Sequence, residues 1–227
     1  MSRQTKEIRL IAESNPTAHV SEAYRTLRTN TLFAALDSSA QTICIASCLQ
    51  AEGKTTTAAN LAITFALEGK KTLLIDADLR KPAQHKSFAV SNRKGLSTYL
   101  ASQHDLDEAI TPTHIEHLSL LPSGQIPPNP AELLGTKRMD ELLAQMKQAY
   151  DVILIDTPPA LAVTDAHVIA AKSDGVLLVV RSGKVKRAQA VKVKASLAHV
   201  GARILGVVLN GMKGKGDYAY YEYGVSN

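Results

Sequence analysis

The sequence predicts a doubly wound α/β fold with a mostly parallel sheet. Two patterns carry that expectation. Short, continuous apolar runs recur along the 227 residues, and helix-like stretches separate them. A strand apolar along its whole length is buried on both faces, which is the condition of a parallel sheet. Strand and helix in repeated alternation build such a layer. The composition agrees, because 45% hydrophobic and 21% charged residues suit a globular chain rather than a disordered one.

Taken in order, residues 1–17 are polar, close on Asn15 and Pro16, and read as an extended arm. A helix over 21–36 follows, with Ser21 as its N-cap. Strands are expected at 42–47 (TICIAS), 72–76 (TLLID), 118–121, 152–156 (VILID), 176–180 (VLLVV) and 204–209. Helices are expected at 55–67, 136–149, 165–171 and 186–200. The segment 122–130 (PSGQIPPNP) is a proline-rich loop. The tail from Lys213 holds Gly and Tyr without helical or alternating pattern, and reads as flexible. The division is therefore 1–36 as arm and helix, 37–212 as the main domain and 213–227 as the tail.

No run is long and apolar enough to cross a membrane, and MSRQTKEIRL lacks the apolar centre of a secretory signal. Two cysteines are too few for a disulfide framework, so a reducing cytoplasm is expected. The net charge of +5 is weak ground for a nucleic-acid partner, and no recognition motif accompanies it. A basic stretch from Arg181 to Lys194 reads first as a solvated helix face.

Chemistry concentrates where strands end. After the first strand comes Cys48-Leu-Gln-Ala-Glu-Gly-Lys-Thr55, the close of a P-loop pattern with Cys48 in place of the first glycine. Backbone N–H groups in such a turn hold phosphate oxygens at a helix N-terminus. Glu52, Gly53, Lys54, Thr55 and Thr56 are the nucleotide-binding candidates, with Lys54 for the outer phosphates and the Thr55 hydroxyl for Mg²⁺. The second strand closes as Asp76-Ala-Asp78-Leu-Arg80, and the strand at 152–156 closes as Asp156-Thr-Pro-Pro. A carboxylate at the end of a buried strand needs a partner, and a metal ion supplies one. Three acids beside a phosphate cradle thus point to a Mg-nucleotide site. The fold expected is of the P-loop NTPase type.

These motifs, in this order, resemble the bacterial tyrosine kinases of the polysaccharide co-polymerase system. The P-loop, the D-x-D-x-R strand end, the Asp156-Thr-Pro-Pro strand end and a C-terminal tyrosine cluster carry the likeness. So does Glu22-x2-Arg25-x2-Arg28. The resemblance implies an ATP-dependent protein-tyrosine kinase that phosphorylates its own Tyr218, Tyr220, Tyr221 and Tyr223 in trans and regulates exopolysaccharide or capsule synthesis. It implies Thr55, Asp76 and Asp156 around Mg²⁺. Asp78 would take the tyrosine proton, Arg80 would add charge near the site, and Asn210 would sit near the base. It further implies a ring of like chains joined through Glu22, Arg25 and Arg28. A transmembrane adaptor would hold the kinase at the inner face of the cell membrane. Residues 213–227 could span about 50 Å when extended, enough to reach a neighbour.

Two other readings share the motifs. A positioning ATPase of the partition or septum-site type has the same sheet and strand-end acids, but carries a lysine where this chain has Leu49. A nucleotide-binding adaptor without catalysis would rest on Gln50 and Ala51, since alanine sits poorly where a loop needs positive φ.

Overall fold

The computed structural model describes residues 8–35 and 40–212. The tyrosine tail lies outside the described residues. In chain order the elements are α1 (Ile11–Ser14), α2 (His19–Ala35), β1 (Thr42–Ser47), α3 (Lys54–Ala66), β2 (Thr72–Asp76), α4 (Gln84–Ser87), α5 (Leu96–Leu100), α6 (Leu106–Ala109), β3 (Thr111–Pro112), β4 (Leu118–Leu121), α7 (Pro130–Gly135), α8 (Lys137–Ala149), β5 (Val152–Asp156), α9 (Asp165–Lys172), β6 (Gly175–Arg181), α10 (Arg187–His199) and β7 (Ile204–Asn210). One sheet runs β3-β4-β2-β5-β1-β6-β7, parallel except where β3 meets β4.

Full burial of β1, β2 and β5 follows from two covered faces. Ile43, Ile45, Leu74 and Leu154 pack with Ala58, Leu61 and Phe65 of α3. Cys44, Ala46, Leu73, Ile75, Ile153 and Ile155 point the other way, toward α8, α9 and α10. In α8 the buried residues are Met139, Leu142, Leu143 and Met146, the spacing of a helix with one apolar stripe. The sheet register sets Asp76 level with Asp156, and Asp156 level with Ile45 of β1. The three strand ends that carry the motifs therefore finish side by side at the carboxyl edge, where open α/β sheets bind ligands.

The N-terminal segment departs from the expected arm. Residues 11–14 form a helical turn, and Ala12 is buried in the same cluster as α3. Asn60 of α3 holds it in place: Oδ1 accepts from Ala12 N at 2.9 Å, and Nδ2 donates to Arg9 O at 2.9 Å. Ser21 is not an N-cap, because α2 already begins at His19. Ser21 is buried, and its hydroxyl lies 3.0 Å from Ile11 O and 2.6 Å from Asn15 O, tying α2 to α1.

At the opposite edge of the sheet Asp174 staples three elements. Its Oδ2 accepts from Gln41 N, Thr42 N and Thr42 Oγ1 at 2.8–3.0 Å, and its Oδ1 from Lys147 Nζ at 2.6 Å. Burial pushes this carboxyl up, but Lys147 and the Thr42 and Gln41 donors outweigh it and hold the group below its ordinary value. The stabilisation is therefore complete above the unfolded-state value near 3.9 and is lost as pH falls through the native one. Asp174→Ala is expected to cost about 2–3 kcal/mol at pH 7. Urea denaturation at pH 7 and at pH 3 should show the gap between variant and parent shrinking in acid.

Candidate active site

The phosphate loop runs from β1 into α3 and is braced from within. Gly53 takes φ +90°, and a Cβ there would lie 2.0 Å from Nδ2 of Asn210. Glycine is thus required twice, by the backbone and by the close approach. Ala51 also takes a positive φ, 60°, so the chain accepts a strained alanine where glycine would sit freely. Gly53→Ala is expected to weaken ADP binding about tenfold, because alanine is strained at φ +90° and Asn210 must give up its hold on Glu52 O to clear the Cβ. Calorimetric titration measures it.

Glu52 does not face outward as a ligand-binding side chain. It is buried, with Oε1 accepting from Leu49 N and Oε2 from Arg181 N at 3.2 Å, so it ties the loop to the end of β6. Arg181 and Lys184 donate to the carbonyls of Ala51 and Gln50. Part of the basic stretch therefore clamps the loop. Asn210 donates from Nδ2 to Glu52 O at 2.9 Å. Thr56 O accepts from Asn60 Nδ2 at 2.9 Å.

Lys54 is the centre of the cluster. Its Nζ lies 2.7 Å from Asp156 Oδ1, 3.9 Å from Asp78 Oδ2 and 3.3 Å from Thr55 Oγ1. Burial pulls Lys54 down, but Asp156 and Asp78 outweigh it and hold the ammonium above its ordinary value. Asp76 is fully buried and accepts from the backbone N–H groups of Asp78, Ala83 and Gln84. Burial first, and then the charge of Asp156, push Asp76 up to about 7. Asp78 is likewise raised, chiefly by burial, with Lys54 opposing.

Among the described residues no group of three or more His, Cys, Asp or Glu is placed to hold a cation. Of the expected Mg²⁺ residues Thr55, Asp76 and Asp156, Asp76 is turned onto backbone donors and Asp156 onto Lys54. The set still suits Mg²⁺, which is bound through one or two carboxylates together with substrate phosphates. Asp76 and Asp156, level and buried, are two acids whose mutual repulsion a divalent cation relieves.

Arg80 points elsewhere. Nε and Nη2 both lie 2.9 Å from the Asp165 carboxylate at the start of α9, a bidentate pair. Glu22 and Arg25 pair with each other at 2.6 Å, while Arg28 binds Thr64 O and Glu68. Partners within one chain thus account for all three residues. Tyr218, Tyr220, Tyr221 and Tyr223 lie outside the described residues. Cys48 is buried and pushed up to about 11, and Cys44 to about 12, in each case chiefly by burial, so both thiols are unreactive.

Sequence reasoning missed Gln84. It is fully buried, and its Nε2 bridges Thr55 O and Asp156 Oδ2, each at 3.1 Å. A glutamine in a short polar segment carries no periodic signal. Asp165 was missed because its partner, Arg80, lies 85 residues away in the chain.

A family model described as an AAA domain matches residues 40–187. The tyrosine-protein kinase YwqD of Bacillus subtilis (strain 168) is 46% identical over 214 residues, 93% of this chain and 90% of that protein. The kinase domain of the Escherichia coli tyrosine kinase ETK superposes with a TM-score of 0.89 at 37% identity, covering 98% of this chain and 87% of that one. The septum site-determining protein MinD of Pyrococcus horikoshii OT3, solved with Mg-ADP, reaches only 0.65 at 29% identity, with 74% and 69% covered. The kinase likeness is closer in sequence and spans more of both chains than the positioning-ATPase likeness. With a nucleotide-binding P-loop at the head of the sheet and relatives of this similarity along nearly its whole length, the chain belongs to the bacterial tyrosine-protein kinases.

Proposed function

We propose that this kinase transfers the γ-phosphoryl group of ATP to tyrosine, first to Tyr218, Tyr220, Tyr221 and Tyr223 of another copy, in support of exopolysaccharide or capsule synthesis. The observation that carries the reading is the gathering of Asp156, Asp78 and Thr55 around Lys54 at the mouth of the phosphate loop. Phosphoryl transfer is mainly positioning and charge neutralisation. Gly53 and the backbone N–H groups that follow it would cradle the phosphates, with Thr56 in the first turn of α3. Lys54 would turn from Asp156 to the outer phosphates. Thr55, Asp156 and Asp76 would hold Mg²⁺, which when bound offsets phosphate charge. Asp78, the least buried of the three acids, would accept the phenol proton. Arg80 would act through Asp165, and Asn210 would border the nucleotide through its hold on Glu52.

Self-association in a ring would exchange the Glu22, Arg25 and Arg28 pairs within a chain for pairs between chains. A transmembrane co-polymerase adaptor would recruit and activate the kinase at the inner membrane face. No helix among the described residues is long and apolar enough to cross a membrane. Residues 1–36, 37–212 and 213–227 would serve as assembly arm, kinase domain and substrate tail. No nucleic-acid partner is expected.

Mixing tests transfer between copies. A Lys54→Met chain with its tyrosines intact is combined with a chain in which the four tail tyrosines are Phe. ATP, Mg²⁺ and the adaptor's cytoplasmic segment are then added. Phosphotyrosine should appear on the Lys54→Met chain. ATP hydrolysis with no phosphotyrosine would favour the positioning ATPase instead.

A further inference from the structure

Gln84 has one polar atom left over. Its Nε2 faces two acceptors, the Thr55 carbonyl and the Asp156 carboxylate, which fixes the orientation of the amide. Its own N–H is given to Asp76. One residue thereby touches the ends of β2 and β5 and the start of α3, and all three bear the residues read above as the metal site. The remaining atom, Oε1, is buried and finds no hydrogen-bond partner among the described residues. A buried amide oxygen without a donor is costly and calls for an explanation. Hydrated Mg²⁺ brings such donors, because it keeps several of its waters when bound.

We propose that Gln84 is a positioning residue of the metal site, its Oε1 accepting a hydrogen bond from water in the coordination shell of the divalent cation. Outer partners of this kind typically change metal affinity 10- to 100-fold. The proposal rests on the Mg-nucleotide reading of the site.

The test uses Mn²⁺ with ADP and the full chain. Free Mn²⁺ is counted by electron paramagnetic resonance, and ADP binding is measured separately in EDTA. Gln84→Leu keeps the bulk and removes both the oxygen and the Nε2 donor to Thr55 O and Asp156. Gln84→Glu loses the same donor, keeps an oxygen at that point and adds charge. A packing role would favour Leu in this buried place and reject Glu beside Asp156. The proposal expects the reverse order: Mn²⁺ affinity falls about tenfold or more in Leu and holds in Glu, with any change in metal-free ADP binding shared by the two, since both lose the donor to Thr55 O. Mn²⁺ affinity within twofold of the parent for Leu, or a tenfold loss for Glu, would overturn it. Should the Leu variant fail to fold, the Glu result alone decides. If the parent itself binds no Mn²⁺ with ADP, the Mg-nucleotide reading falls, and this inference with it.

Discussion

Lys54→Met should lower tail phosphorylation by roughly two to three orders of magnitude, the usual loss when a charge aimed at the transition state is removed from a dry site. Lys54 Nζ lies among Asp156, Asp78 and Thr55, and its side chain is almost entirely buried. No water can substitute for the ammonium there without reopening the cluster. The same change leaves Asp156 without its closest cation, and breaking a buried pair costs about 3 kcal/mol. Activity must therefore be compared well below the variant's melting temperature. Phosphotyrosine blotting of a time course measures the first effect, and a thermal melt without nucleotide measures the second. A variant that melts early but still phosphorylates at near parental rate would remove Lys54 from the chemistry.

Asp78→Asn should separate chemistry from binding. Asp78 Oδ1 accepts from Lys81 N at 3.0 Å, and an asparagine oxygen can keep that bond. What would be lost is the charge proposed to take the phenol proton, worth about 10²–10⁴ in rate for a positioned base. The expected outcome is a large fall in kcat, with KM for Mg-ATP changed less than about threefold. Steady-state kinetics on the Tyr-containing tail would show the split. A rise in KM with kcat unchanged would instead make Asp78 a binding residue.

The sheet was legible because burial on both faces leaves an uninterrupted apolar run. All six long strands lie where TICIAS, TLLID, VILID and their counterparts predicted, within a residue or so at each end. The two-residue β3 and the short helices α4–α6 went unread, since a helix of about one turn shows no period and two residues make no apolar run. Loop spacing made the strand-end acids visible as a set. It did not reveal which way each side chain turns. Glu52 folds inward to Leu49 and Arg181, and Arg80 goes to Asp165, a residue far along the chain. Such pairings depend on tertiary distance, which a local pattern does not encode. Ser21 misled because a serine before an apolar stretch has the signature of a cap, while here its hydroxyl joins two helices.

Asn210 closes β7, and its side chain is fastened to the carbonyl of Glu52. The chain beyond residue 212 therefore departs from the rim of the cradle and not from a remote corner. A pull on the chain at that point would bear on the phosphate grip and on the last rung of the sheet together.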